Sequence, residues 1–354
     1  MKIYCFVFFA FLTISLFAQN QNDFEFTITE TNGNQSIIIT KYIGNNVNVK
    51  VPEYINGIRV TAIGEKAFEQ SNIKTIEMSN SIVSIGMSAF YGCKELTTVL
   101  FSASVINLGR DASVRVGTSA NQRFEAADTT GQTTARQIDS ISGSGGQLGI
   151  YGLDLIFDGC SKLTAINVDS NNPKYCSNDG VLFNKQMTIL LFYPHGKEGN
   201  YNIPNSVLEI MEGAFFNCKQ LTSVFFPENI NKIGKFNFFF CPSITSFDVD
   251  VNNKTFASEN GVLYNYNKEE LLKFPSGKTG FFKVPDFVKI IGHGAFFGCG
   301  SETRINIYFN NIIKINHGGL AGFSFGNLQE ELKNRFPMAF DLPMDIVFLF
   351  DGGA

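Results

Sequence analysis

The segment IGMSAFYGCKEL at residues 85–96 is one copy of a motif that recurs along the chain. The other clear copies are IGEKAF at 63–68, IMEGAFFNCKQL at 210–221 and IGHGAFFGC at 291–299. Together they share the pattern I-G-x-x-A-F-x-x-C-x-x-L. Ala67 and Ala89 lie 22 residues apart, and Cys218 and Cys241 lie 23 apart. A period of about 20 to 29 residues is typical of a solenoid built from short stacked coils.

A second, longer repeat supports this interpretation. Several segments recur with one constant shift of 81 residues. They are DSNN 169–172 with DVNN 250–253, GVLFN 180–184 with GVLYN 261–265, and PHGK 194–197 with PSGK 275–278. Because one shift holds across so many positions, the sequence indicates an internal duplication several coils long.

Residue size explains the motif. Apolar residues alternate in LTSVFF at 221–226, as in a strand with one face toward a core. The glycine after isoleucine permits a close turn, alanine leaves room for the next coil, and phenylalanine, present 37 times, fills the interior. The sequence therefore predicts a right-handed, mostly β repeat solenoid of short strands joined by short helical or 3-10 turns. Its structural repeat positions are Ala67, Phe68, Ala89, Phe90, Cys93, Cys160, Ala214, Phe215, Cys218, Cys241, Ala295, Phe296 and Cys299.

These motifs carry a family resemblance. The repeat, preceded by I-P-x-x-V as in IPNSV at 203–207, resembles the BspA-type leucine-rich repeat. VPEYINGIRVTAIG at 51–64 is similar to the usual first coil of that family. The resemblance extends over about 47–325 with one gap. It implies a leucine-rich repeat protein on a bacterial or parasite surface that contacts host or neighbouring-cell molecules. It implies no catalytic residues, and we predict that the protein is not an enzyme.

The first residues of the chain predict the cellular localisation of the protein. Residues 3–17 are almost wholly apolar, follow Lys2, and precede Ala18 and a polar run at 19–23. This pattern is typical of a signal peptide, here predicted at 1–18. No later segment is long enough to cross a membrane as an apolar helix. The chain is therefore predicted to be secreted or displayed at the cell surface.

The remaining chain divides into three predicted parts: cap strands at 19–46, the solenoid at 47–326, and a C-terminal cap or tail at 327–354. The solenoid is interrupted at 113–155 by a segment rich in Thr, Ser, Gly and Gln. This segment is interpreted as an insertion into one coil. It is either a passive insert or a mobile loop that carries recognition.

The C-terminal end departs from the repeat. A short helix is predicted at 327–336, with Glu330 and Glu331 on its polar side. The apolar run at 344–350 resembles a strand. Because a last coil must cover its exposed edge, this end is interpreted as a terminal cap, with an attachment or sorting segment as the alternative.

The cysteines and histidines are the candidate reactive or metal-binding groups of the chain. Five cysteines share one coil position, whereas Cys176 does not. Residues in register on adjacent coils lie about 5 Å apart, which suits either a disulfide or a buried row of free thiols. His293 and His317 occupy equivalent positions and could share a metal, but no third ligand is evident, so no metal site is predicted. His195 is expected to be exposed in a turn beside Pro194.

Composition limits the function further. The net charge of −4 and the lack of a basic patch argue against a nucleic-acid partner, and no cofactor is predicted. Tyr54, Tyr193 and Tyr201 are candidates for sugar or peptide contacts, although aromatic residues of this chain are expected more often in the core. We predict a non-catalytic interaction or adhesion protein whose partner is an extracellular protein or glycan. The alternative is an envelope-associated carbohydrate- or peptide-binding module.

Overall fold

The computed structural model describes residues 21–31, 33–109, 154–299, 305–308, 312–321 and 334–337. These residues form a stack of short coils with almost no helix, and the solenoid predicted from the sequence is confirmed. The predicted signal peptide, nearly all of the predicted insertion and the apolar run at 344–350 lie outside the described residues. No helix among the described residues is both long and apolar enough to cross a membrane.

The strands are short, and most have two to four residues. A 3-10 turn at Gln21–Asp23 precedes β1 (Phe24–Thr31), β2 (Asn34–Tyr42), β3 (Asn48–Lys50), β4 (Tyr54–Ile55), β5 (Ile58–Ile63), β6 (Thr75–Glu77), β7 (Ser84–Ile85), β8 (Thr98–Phe101) and β9 (Asn107–Leu108). Then come helix α1 (Asp154–Phe157), β10 (Ala165–Val168), β11 (Tyr175–Asn178), β12 (Val181–Asn184), β13 (Ile189–Phe192), β14 (Gly199–Asn202), β15 (Glu209–Ile210), β16 (Leu221–Phe226) and β17 (Lys232–Ile233). The last are β18 (Ser246–Val249), β19 (Phe256–Glu259), β20 (Val262–Asn265), β21 (Glu270–Lys273), β22 (Gly280–Lys283), β23 (Ile290–Ile291), β24 (Ile305–Tyr308) and β25 (Lys314–Ile315).

A coil typically contributes one strand to each of two ladders. The first ladder runs β1-β2-β5-β7-β9, antiparallel only at β1–β2, and the second is the parallel ladder β3-β6-β8-β10. After β10 the chain forms the antiparallel meander β11-β12-β13, and the ladders β13-β15-β17 and β14-β16-β18 follow. After β18 the meander β19-β20-β21 leads in the same way to β21-β23-β25 and β22-β24. The 81-residue repeat is thus one meander plus the coils that follow it.

Phenylalanine rings from successive coils meet in the interior. The centroid of the Phe90 ring lies 5.4 Å from that of Phe68 and 5.5 Å from that of Phe157, and Phe157 lies 5.3 Å from Phe192. A main-chain hydrogen bond joins the same two coils, since the Phe68 N–H donates to the Ala89 carbonyl at 2.8 Å. All thirteen structural repeat positions named above are at most 2% exposed.

At Gly86, the glycine of the I-G pair is required by the close approach of two coils. A Cβ at Gly86 would lie 2.7 Å from the backbone nitrogen of Glu65 and 2.9 Å from the carbonyl carbon of Gly64. Since real Cβ contacts are essentially never this short, any side chain would push two coils apart.

The coil interrupted by the predicted insertion resumes in register. Ile156 and Phe157 are fully buried, and the Phe90 N–H donates to the Ile156 carbonyl at 3.0 Å. Near the other end, Leu320 is fully buried, and the Phe296 N–H donates to the preceding carbonyl of Gly319 at 3.1 Å. Leu320 therefore takes the place of the missing phenylalanine. Of the helix predicted at 327–336, only residues 334–336 are described; Glu330 and Glu331 lie outside.

Candidate functional site

The second ladder presents regular rows of outward-facing side chains. Along β3, β6, β8 and β10, alternate residues are buried, as expected for strands with one solvated face. The register then aligns two outward rows. One row is Asn48, Thr75, Thr98 and Ala165, and the other is Lys50, Glu77, Leu100 and Asn167.

An open groove of about 890 Å³ crosses the ends of these four strands. It is lined by residues 50–53, 77–80, 100–102 and 167–169. Leu100 stands near its middle and is 37% exposed, between Glu77 and Asn167 of the neighbouring strands. Lys50 Nζ contacts Glu77 Oε1 at 2.7 Å, and because both side chains are solvated this pair adds little stability. The surface therefore offers an apolar centre beside charged and amide groups.

Buried polar contacts hold the base of the groove. The Ser102 hydroxyl donates to the Ser79 carbonyl at 3.0 Å, and the hydroxyls of Ser79 and Ser81 are 2.9 Å apart. The Asn172 amide donates to the carbonyls of Ser102 and Val105 at 2.9 and 2.8 Å. These contacts join successive coils, so the groove is positioned by a connected network and not by separate loops.

The cysteines of the described chain are all free thiols. The five at the shared coil position donate toward the main-chain carbonyl of an aromatic residue in the preceding coil. For example, Cys93 Sγ lies 2.9 Å from the Phe68 oxygen and Cys160 Sγ lies 3.1 Å from the Phe90 oxygen. Burial raises the pKa of Cys299 to about 12 and that of Cys218 well above its ordinary value. These two thiols remain protonated at neutral pH, whereas a cysteine that acts as a nucleophile or metal ligand is a thiolate.

The structure brings His293 and His317 together. Their rings stack with centroids 5.8 Å apart and planes 18° apart. Among the described residues, no group of three or more His, Cys, Asp or Glu side chains could hold a metal ion. The two rings therefore lie at equivalent positions of adjacent coils.

The expected exposure of His195 was wrong. The side chain is only 3% exposed, its ring lies 5.1 Å from that of Phe192, and neither ring nitrogen has a hydrogen-bond partner. The turn folds against the preceding coil, with the Gly196 N–H donating to the Leu163 carbonyl at 2.7 Å. Burial, with a smaller effect from Lys219, lowers the pKa of His195 to about 4.

His195→Ser is expected to reduce the acid sensitivity of the fold. The duplicated position carries Ser276, so this turn accepts serine. The folded-state pKa of about 4 lies below the ordinary 6.5, so the unfolded chain binds the extra proton between these values, and stability falls as the pH drops through this window. That loss, about 3 kcal/mol in full, is absent without the imidazole. Urea unfolding at pH 7 and pH 4.5 should show a smaller drop for the variant; equal drops would contradict the assignment.

The tyrosine candidates separate into two classes. Tyr54 is 49% exposed, whereas Tyr193 and Tyr201 are 1% and 7% exposed.

The sequence did not single out Lys50, Glu77, Leu100 and Asn167 as candidate site residues, although strand alternation was a signal that they face outward. It could not show that they share one surface.

The comparisons with known proteins identify the family. The model of the BspA-type leucine-rich repeat region matches residues 26–116 and 190–281 with six copies, more than half of the chain. No curated protein matches. A leucine-rich cell surface protein of Faecalibacterium prausnitzii is 19% identical, with a TM-score of 0.45, over 83% of this chain and 71% of that one.

Two further solved structures are similar at the same distant level. The pneumococcal vaccine antigen PcpA is 16% identical, with a TM-score of 0.44, over 85% of this chain and 67% of that one. A leucine-rich repeat protein of T. pallidum is 17% identical, with a TM-score of 0.34, over 90% and 96%. The inference of family rests on the match of the repeat model and on the repeated contacts described above: this chain belongs to the BspA-type leucine-rich repeat family.

Proposed function

We propose that this protein is a non-catalytic interaction protein, secreted or displayed at the cell surface, that binds an extracellular protein partner through the groove. The observation that carries the proposal is the alignment of exposed side chains from β3, β6, β8 and β10 along one groove. The apolar run at residues 3–17 and the membership of the BspA-type leucine-rich repeat family support the location.

The geometry favours a large partner over a small substrate. The groove is open and extends across four coils, so affinity would come from contact area and shape complementarity. Its exposed side chains combine one apolar group, Leu100, with a charged pair, amides, and the further carboxylates of Glu53 and Asp169, as at protein interfaces with an apolar centre and a polar rim. The stacked coils provide a surface whose residues are held in place before binding.

The test is a binding array of purified extracellular matrix and cell-surface proteins, followed by one matched pair of variants. Leu100→Arg places a charge at the middle of the groove. Asn107→Arg, the control, changes a partly exposed residue of the same coil on the other ladder. Leu100→Arg should weaken binding to the captured partner by about tenfold or more, the cost of losing a central contact, and Asn107→Arg should not. Equal affinities, or no binding to any protein in the array, would reject the groove as the binding surface.

A further inference from the structure

A second, smaller pocket lies where the ladder of β10 gives way to that of β14. It has a volume of about 280 Å³ and shares no lining residue with the groove. Its walls come from the hairpin turn at Asp179, the turn at 196–198 and strand β14. The turn approaches β10 so closely that a Cβ at Gly180, which has a φ of +74°, would lie 2.8 Å from the Ala165 Cα. The pocket thus arises from the meander that interrupts the coils.

Two tyrosines line this pocket. The rings of Tyr193 and Tyr201 meet edge to face with centroids 4.9 Å apart. The Tyr201 hydroxyl is buried and has no hydrogen-bond partner. A buried hydroxyl without a partner costs stability. Burial, with a smaller contribution from Asp179, raises the pKa of both tyrosines, so both hydroxyls are neutral donors and acceptors.

The internal duplication provides a comparison within the same molecule. At the equivalent positions of the second copy stand Phe274 and Phe282, whose rings also pack with centroids 4.7 Å apart. Phenylalanine therefore satisfies the core at this point of the fold. The hydroxyls are an addition in the first copy that packing does not require.

Most of the other polar residues that line the pocket are likewise replaced in the second copy. The 81-residue shift pairs Asp179 with Asn260, Glu198 with Thr279 and Asn200 with Phe281, and it leaves Lys197 matched by Lys278. Lys197 Nζ donates to the Asp179 carbonyl at 2.7 Å, and Lys278 donates to the Asn260 carbonyl, so the lysine has the same structural contact in both copies. The carboxylates and the exposed amide are specific to the first copy.

These observations define the chemistry of the ligand. The Asp179 carboxylate lies 3.0 Å from Lys197 Nζ, which offsets the charge of that carboxylate. Because Glu198 adds a second carboxylate to the lining, an anionic ligand is disfavoured, and the cationic alternative is left to the experiment. Tyrosine hydroxyls, carboxylates and an amide are groups that bind a molecule rich in hydroxyls. The volume of about 280 Å³ lies just below the range of about 300–1,000 Å³ for small-molecule pockets, and it is enough for one small ring. We propose that the pocket lined by Tyr193, Tyr201, Asp179 and Asn200 binds one neutral saccharide unit, the end of a glycan.

The experiment uses the purified protein and a panel of methyl glycosides of neutral hexoses, a 6-deoxyhexose and N-acetylhexosamines, with butylammonium as a cationic probe. Binding is measured by ligand-observed NMR and calorimetry at ligand concentrations up to about 10 mM, in the range of weak single-sugar sites. The expected result is binding of at least one glycoside. The double variant Tyr193→Phe, Tyr201→Phe, which installs the residues of the second copy, should lose about tenfold or more in affinity.

Matched variants distinguish loss of glycoside binding at this pocket from unfolding and from binding at the groove. The double variant should melt no lower than the natural protein, because it removes the unpartnered Tyr201 hydroxyl and installs the phenylalanine pair that packs at the same position of the second copy. Thr279→Ala in the second copy and Leu100→Arg in the groove should leave glycoside affinity unchanged. The proposal is overturned if no glycoside binds, if the double variant binds equally well, or if only butylammonium binds.

Discussion

Replacing Phe90 by alanine is expected to lower the free energy of unfolding by about 3–5 kcal/mol. The Phe90 ring is fully buried, and its centroid lies 5.4 Å from that of Phe68 and 5.5 Å from that of Phe157. Its removal leaves a cavity between three coils at once. Because a coil in a solenoid is stabilised by its neighbours, a gap at this point weakens the contacts on both sides.

Tyr91→Ala is the matched control for this variant. Tyr91 is the next residue of the same coil, but its side chain is 39% exposed. Its loss should change stability by no more than about 0.5 kcal/mol. Urea unfolding followed by far-ultraviolet circular dichroism suits a chain without tryptophan. If Phe90→Ala and Tyr91→Ala had similar effects, the stacked rings would not be the main source of stability.

Replacing Asn172 by alanine is expected to destabilise the fold by about 3–5 kcal/mol, since several buried groups lose their partners at once. The Asn172 amide donates to the carbonyls of Ser102 and Val105, and its oxygen accepts from the N–H groups of Lys174 and Tyr175 at 2.9 Å each. The side chain is fully buried. It therefore closes the turn that begins the meander and fastens it to the preceding coil.

Asn171→Ala and Asn172→Asp sharpen this experiment. Asn171 is the exposed neighbour, and its variant should lose less than about 1 kcal/mol. Asn172→Asp keeps the two accepted hydrogen bonds but sets a carboxylate against two carbonyl oxygens, so at pH 7 it should be at least as unstable as Asn172→Ala. An Asn172→Ala protein as stable as Asn171→Ala would show that water replaces the amide. The second copy allows the same test at Asn253, which makes the corresponding four contacts.

The periodic core was predictable from the sequence because each coil repeats the same steric problem. Ala89, Phe90 and Cys93 recur at fixed spacing, and the structure places all of them in the interior. The D-x-N-N segments were also visible as a matched pair. Their role was not, because an asparagine in such a turn is as easily solvated as buried, and the carbonyls that receive its amide come from a different coil.

Asn237 departs from the repeat motif but keeps the hydrogen bond that joins two coils. It lies where the pattern expects alanine, 23 residues after Ala214. Its side-chain oxygen accepts from the Phe215 N–H at 2.9 Å, and its amide donates to the carbonyls of Met211 and Gly234 at 2.9 Å each. A side-chain oxygen here replaces the main-chain carbonyl that the alanine of other coils supplies. No local pattern predicts this exchange, because its partners lie 22 to 26 residues away or across a turn.

Lys273 is a second case of a burial that the sequence does not reveal. The side chain is 5% exposed, Nζ donates to the carbonyls of Gly294 and Phe297, and the ammonium lies 4.2 Å from the centroid of the Phe239 ring. Burial lowers its pKa to about 8. A lysine read from sequence alone is expected to be solvated. Only the stacking of the next coil provides the two carbonyls that make its burial tolerable.

By itself the sequence determined the coil and the family, since these depend on residue size and on alternation within about 20 residues. It also determined the duplication, because one shift of 81 residues aligns several segments. Tertiary structure alone decided which outward residues share a surface. Lys50, Glu77, Leu100 and Asn167 come from four separate coils, and only the register between parallel strands aligns them. It likewise decided that His195 and Tyr201 are buried, because the coil against which each side chain packs is formed by distant parts of the chain.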